Sequence, residues 1–523
     1  MTGSSIVSQP RVTIGIEGAQ ENIGNSPQQI LIVGAYNAAA SGSANTGVLT
    51  ENVPNTDAGI NALFGAKSHI ASLARSLRKM NGINKVDAIA IDATSLTTAA
   101  TATITCAGTT AVAGTFDLVI GSFRDHKITV SYQTSYSASD VANNIEIAIN
   151  ADTSLQVTAT RAGDVVTLTA ADKGLTGNEI PFRIIPNGTS SSYFLASGAV
   201  VIGRSGGGGG VSLVTTSRMA GGVGDIATSG LFDVVGNERY QTVVYPSTSD
   251  VTILTDFLDP RWNADNIILD GVGIVGSVDT YANVLAVGAA QNSQSLMVIG
   301  SKNVNSQSYR GSSLLEFTDN VSAQVAGVRA RRLTDGALIS DLVIGSAALD
   351  SFGGSALASR PLFNTPFAYL PIIPIGLGWS NSEIELLLAS GISILGSNRT
   401  RTGVISGEIV TTYKTDAASN PDESFNFLNK VDTSSQCREY FHNNIKKAYA
   451  QTRLTTGSLV SGRPMANEAS IRGYLMSLYA DLSGSDYALT VAGEAAQKVF
   501  AENMTVTIDM SQGKVTAVFA KVP

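Results

Sequence analysis

The chain has 523 residues, 43% of them apolar and only 15% charged, with 52 glycines and a net charge of −8. That length exceeds what one core holds, so roughly two to four domains are expected, and so little charge suits a surface that meets other protein. The acidic balance argues against a nucleic-acid partner, and no apolar run approaches the about 18 residues of a membrane span.

The chain opens on a small, polar stretch, MTGSSIVSQP, followed by alternation over 11–17 with Val12, Ile14 and Ile16 on one face. That reads as a half-buried strand on a loose arm, with no secretory signal ahead of it. After the polar NIGNSPQQ, ILIVG is a continuous apolar run of buried-strand type. Helical spacing over 68–81 puts Ile70, Leu73, Leu77 and Met80 on one face behind Ser68 as N-cap, with Arg75, Arg78 and Lys79 expected on the solvated face. VDAIAID is a second buried strand.

From 94 to 198 the pattern becomes short alternating strands (ATITC, FDLVIGS, HKITVSY, LQVTAT, DVVTLTA) around one helix, ASDVANNIEIAIN. SGGGGG at 205–210 and the glycines at 221–222 are expected to be flexible links. TVVYP, NIILDGVGIVGS, LMVIGS and GISILGS then return as buried strands, with helices expected near 249–258, 278–290, 320–332 and 381–390. PLFNTPFAYLPIIPIG reads as an extended connector. A strand GEIVTTYKT, helices around 434–452 and 490–502, and a hairpin over 504–522 close the chain.

The fold class expected is α/β and α+β, multidomain: an arm (1–20), an α/β core in two parts (21–93 and 199–402), an inserted β-rich domain (94–198) and a C-terminal α+β domain (403–523). An insert that leaves and returns through short links is expected to fold on its own and to be dispensable for assembly.

No reaction emerges from the motifs. GVGIVG, with Gly271, Gly273 and Gly276, follows a strand as a dinucleotide fingerprint does, but the next strand lacks the acid that would hold a ribose. GRSGG places Ser205 at the head of a glycine run rather than on a strained elbow. The histidines are His69, His126 and His442, and packing or capping explains His69 and His442. Cys106 and Cys437 are far apart, which fits a reducing compartment and no metal spacing. We expect no enzyme, no cofactor and no metal; a nucleotide-dependent α/β enzyme is the alternative, separable by dinucleotide binding. Arg329, Arg331 and Arg332 suit the end of a helix dipole, with a charged subunit contact as the second reading, and Lys446 and Lys447 stand open to either.

The termini carry the remaining information. Strands near both ends that find no sheet at home can complete one in a neighbour, main-chain hydrogen bonds supplying affinity.

In order over nearly the full length, several stretches carry a resemblance: VSQPRVTIGIEG, QQILIVGAYN, KVDAIAID, the 137–180 segment, YQTVVYPSTSDVTILTDFLDPRW, RPLFNTPFAYLPIIPIGLGWSNSEIELLLASGISIL and VDTSSQCREYFHNNIKKAYAQTRL. Together they resemble the tail sheath proteins of contractile bacteriophages, most closely the Mu-like branch. The resemblance implies a non-enzymatic virion protein, assembled in the bacterial cytoplasm as stacked hexameric rings around a tail tube. Such a sheath contracts on a baseplate signal and drives the tube through the host envelope. The implied partners are other copies, the tube protein, and baseplate and tail terminator proteins, with no nucleic acid and no membrane insertion.

The resemblance further implies an outward-facing insert and a tube-proximal C-terminal domain. The strand of Val12, Thr13, Ile14 and Ile16 looks like a donor, and the hairpin of Val506, Ile508, Val515, Ala517 and Phe519 like part of its receiving sheet. Related chains run past the position of Pro523 with another strand, so either 515–522 makes that link here or the sequence is shortened. Another self-assembling shell, or the sheath of a phage-derived particle, is the nearest alternative.

Overall fold

A computed structural model describes residues 28–37, 42–121, 127–186, 193–194, 200–206, 208–215, 218–262, 267–302, 318–334, 362, 378–397, 403–406, 408–482, 494–511 and 514–519. The fold is mixed α/β with several sheets. At its centre lies an eight-stranded sheet in the order Gly403–Ser406, Ile392–Ser397, Leu296–Lys302, Val272–Asp279, Thr242–Val244, Gln29–Tyr36, Lys85–Asp92, Leu49–Thr50. All inner neighbours run parallel and both edge strands antiparallel.

Alternate residues of the central strand feed two layers. Ile30 and Ile32 pack with Ile70, Leu73 and Val321 from the His69–Met80 and Thr318–Thr334 helices. Leu31 and Val33 pack on the other face with Leu254, Val284 and Leu387, from the Val251–Trp262, Tyr281–Ala289 and Asn381–Ala389 helices. Strands covered on both faces must be apolar throughout, which is why they stand out in the sequence. The GVGIVG glycines serve this packing. A Cβ on Gly271 would stand 2.0 Å from the Tyr240 carbonyl oxygen, and one on Gly276 2.7 Å from that of Thr318. The motif is used up by backbone approach.

The insert folds as a six-stranded and a three-stranded sheet closed over the Ala138–Ala151 helix, whose Val141, Ile145 and Ile149 are fully buried. Ser137 and Asp140 cap that helix reciprocally. Its larger sheet takes in Val200–Ile202 and Gly210–Thr215, which pair with each other and, through the latter, with Ala99–Thr109. That sheet therefore runs on past 198, to Thr215. The glycine run is correspondingly a hairpin turn and not a link: Ser205 bridges Gly208, and Gly206, Gly209 and Gly210 all take positive φ.

Other expectations need correction. GEIVTTYKT is not a strand among the described residues: the sheet's edge is Gly403–Ser406, and beyond it Val410 and Thr415 make single bridges to Phe427 and Pro421. Arg75 does not face solvent, and Arg78 does so only in part. Arg75 is 7% exposed and donates to Asn61, while Arg78 donates to the carbonyls of Val53, Pro54 and Asn84. The Glu468–Leu482 helix was not expected at all. The arm, His126 and nearly all of the proline-rich connector lie outside the described residues.

Candidate assembly interface

The C-terminal domain gathers the Leu428–Tyr449, Glu468–Leu482 and Glu494–Glu502 helices around Phe441, Leu475, Tyr479 and Phe500. Phe500 stacks on Tyr479 at 4.3 Å between centroids. Against this platform lies the hairpin, Met504–Asp509 paired with Lys514–Phe519. Strand alternation turns Met504 and Val506 inward, with Ile508, Val515 and Ala517 partly buried on the same side. Thr505, Thr507 and Thr516 face out, as does Val518 at 54% exposure.

The hairpin is a sheet of two strands, so among the described residues each strand has only the other beside it. A two-stranded ribbon is marginal by itself, and its open edges are templates for another strand. Of the residues expected to exchange strands, Val506, Ile508, Val515, Ala517 and Phe519 are paired in this hairpin. Val12, Thr13, Ile14 and Ile16 lie outside the described residues.

The charged candidates divide. Arg329 is 3% exposed and spends its guanidinium inside the chain, on the Gln241 carbonyl, the Thr242 hydroxyl and the Asp432 carboxylate. Within the chain it ties the core to the Leu428–Tyr449 helix. Burial raises the Asp432 carboxyl even with Arg329 beside it. Arg331 and Lys447 are exposed, Lys446 is half-buried, and the Arg332 side chain lies outside the described set.

Beside Arg329 stands a second junction that the sequence did not disclose. Arg239 reaches Glu439 at 2.7 Å and Asp270 at 3.1 Å, and Arg438 lies 3.8 Å from the other Asp270 oxygen while stacking on the Trp262 ring. Burial pulls the Arg239 guanidinium down, but Asp270 and Glu439 outweigh it and hold it above its ordinary value. Removing one member of such a buried pair typically costs about 3–5 kcal/mol, because the other charge is left behind. The core and the C-terminal domain are thus joined by charges far apart in sequence, a pairing that no local spacing signals.

A third polar cluster lies where the insert meets the core. The His69 amide donates to Asp172 Oδ2 at 2.6 Å, and His69 Nδ1 accepts from the Ala35 amide. His69 Nε2 lies 3.1 Å from Asp319 Oδ2, a close contact rather than an aligned hydrogen bond. Burial pushes the Asp172 carboxyl up to about 6, against the hydrogen bond it accepts from the His69 amide. Among the described residues no group of three or more His, Cys, Asp or Glu could hold a metal, and no helix is long and apolar enough to cross a membrane.

The C-terminal hairpin thus presents an open two-stranded edge among the described residues, and comparison with known proteins supplies the class of relative. The chain is 24% identical over 465 residues to the Mu-like prophage FluMu tail sheath protein of Haemophilus influenzae, covering 87% of this chain and 82% of the relative. It is a homologue of a Mu-like prophage tail sheath protein. No family model matches. Two solved sheath tail proteins align along most of their length at TM-scores of 0.42 and 12% identity. One, from Desulfitobacterium hafniense, covers 95% of this chain and 93% of its own; the other, from Listeria innocua, covers 94% and 91%.

Proposed function

We propose that this chain is the structural subunit of a contractile phage tail sheath. Copies stack as hexameric rings around a tail tube, anchored on a baseplate and closed by a terminator, and shorten to drive the tube through a cell envelope. No nucleotide is needed, because the work comes from a packing with two stable arrangements, the contracted one having the better contacts. The observation that carries the reading is the C-terminal hairpin, a two-stranded sheet with open edges, in a chain homologous to a sheath protein along 87% of its length. The Val12–Ile16 segment is the donor that fits such an edge by its alternation. Strand addition of this kind lets neighbouring copies shift without parting.

Negative-stain electron microscopy of the purified chain tests the proposal. Hollow tubes of stacked rings are expected. Flat sheets would favour a shell protein instead, and dispersed monomers at high concentration would count against assembly by this chain alone.

A further inference from the structure

The strand order of the core sheet reverses between two of its parallel strands. From Gln29–Tyr36 the chain moves outward to Lys85–Asp92 on one side, and from Thr242–Val244 through Val272–Asp279 to Leu296–Lys302 on the other. In open α/β sheets that reversal opens a crevice at the carboxyl ends of the strands, where such proteins hold their ligands, anions above all, on helix N-termini. Here the crevice is rimmed by Asn37, Ser247 and the N-termini of the His69–Met80 and Thr318–Thr334 helices.

It is filled by the insert. Asp172, 5% exposed, puts one carboxylate oxygen on the His69 amide, and its other oxygen has no hydrogen-bond partner among the described residues. The Glu179 carboxylate, paired with Arg218, accepts from the Thr318 hydroxyl at 2.6 Å. The Asn37 side chain donates to the Ala171 carbonyl at 2.7 Å. Ser68, His69, Thr318, Asp319 and Asn320 are each no more than 1% exposed beneath these contacts.

We infer that the crevice is a docking socket whose ligand is the chain's own insert, Asp172 and Glu179 standing where a bound anion stands in ligand-binding relatives of this architecture. The insert is then a fixed part of the core and not a pendant module, and removing it would open a buried polar site. The inference rests on contacts within one chain and is independent of what that chain assembles into.

Hydrogen exchange on the full-length chain tests it, together with limited proteolysis at the junctions around 93–98 and 218–224. Asp172→Ala should speed exchange of the His69 amide about ten- to a hundredfold, the effect of losing one hydrogen bond to a charged group. Junction cleavage should rise while the insert's own strands stay protected. Thr318→Val, which removes a hydroxyl without opening a cavity, should act in the same direction, and Asp172→Asn, which keeps an acceptor but not the charge, should fall between wild type and Asp172→Ala. Should Asp172→Ala fail to fold, the Thr318→Val and Asp172→Asn pair decides alone. Wild-type exchange at His69 and wild-type cleavage in Thr318→Val, with or without Asp172→Ala, would overturn the inference.

Discussion

Single residues show where charge is spent in a chain that has little of it. Arg329 looks from its neighbours in sequence like a helix-end cation, yet it is buried on Asp432, more than a hundred residues away. His442, on the same Leu428–Tyr449 helix, is the counterpart on the titratable side. Burial, then Lys446 and Arg438, push its imidazole down to about 4, so the folded chain holds it neutral. A depressed folded value means that its stabilising contribution is present above the ordinary value of 6.5 and is lost as pH falls toward 4. Between pH 7.5 and pH 4.5, wild type should lose about 1–2 kcal/mol more than His442→Gln, read from urea midpoints. Parallel losses in the two proteins would show that His442 plays no part.

At the scale of elements, period and burial decided what could be read. ILIVG and VDAIAID were legible because a parallel strand covered on both faces must be apolar throughout. The insert's strands were legible from alternation, and its helix from Val141, Ile145 and Ile149 in register. GEIVTTYKT misled because an alternating apolar pattern also serves a coil that packs on the sheet, as Ile409 and Val410 do at 6% and 5% exposure. The Glu468–Leu482 helix had a usable signal in Ile471, Leu475, Leu478 and Leu482, with Asn467 accepting from the Ser470 amide as a start. Tyr474 and Met476, partly buried against the same core, widen the stripe and blur it. The glycine run escaped because a flexible link and a tight hairpin share a composition. The strand-exchange proposal belongs to this scale too. Ile14→Pro removes a ladder donor from the proposed donor strand and should abolish tubes while far-UV circular dichroism and the melting temperature stay unchanged. Normal long tubes from that variant would refute donation by this segment.

For the whole molecule, the parts meet through buried polar contacts: Asp172 and Glu179 seat the insert, and Arg239, Asp270, Glu439, Arg329 and Asp432 join core and C-terminal domain. None of these pairs is local in sequence, so the candidate site was legible only as far as the hairpin and its alternation. The class of protein was legible from the order of segments along the chain. Charges buried in this way hold the parts of one chain together. Strand addition at the hairpin is the central claim, and cryo-electron microscopy of assembled tubes tests it most directly. The account predicts a strand from another copy running along the hairpin's open edge, hydrogen-bonded to its backbone. A hairpin edge facing solvent in an intact tube, or covered only by its own chain, would contradict it.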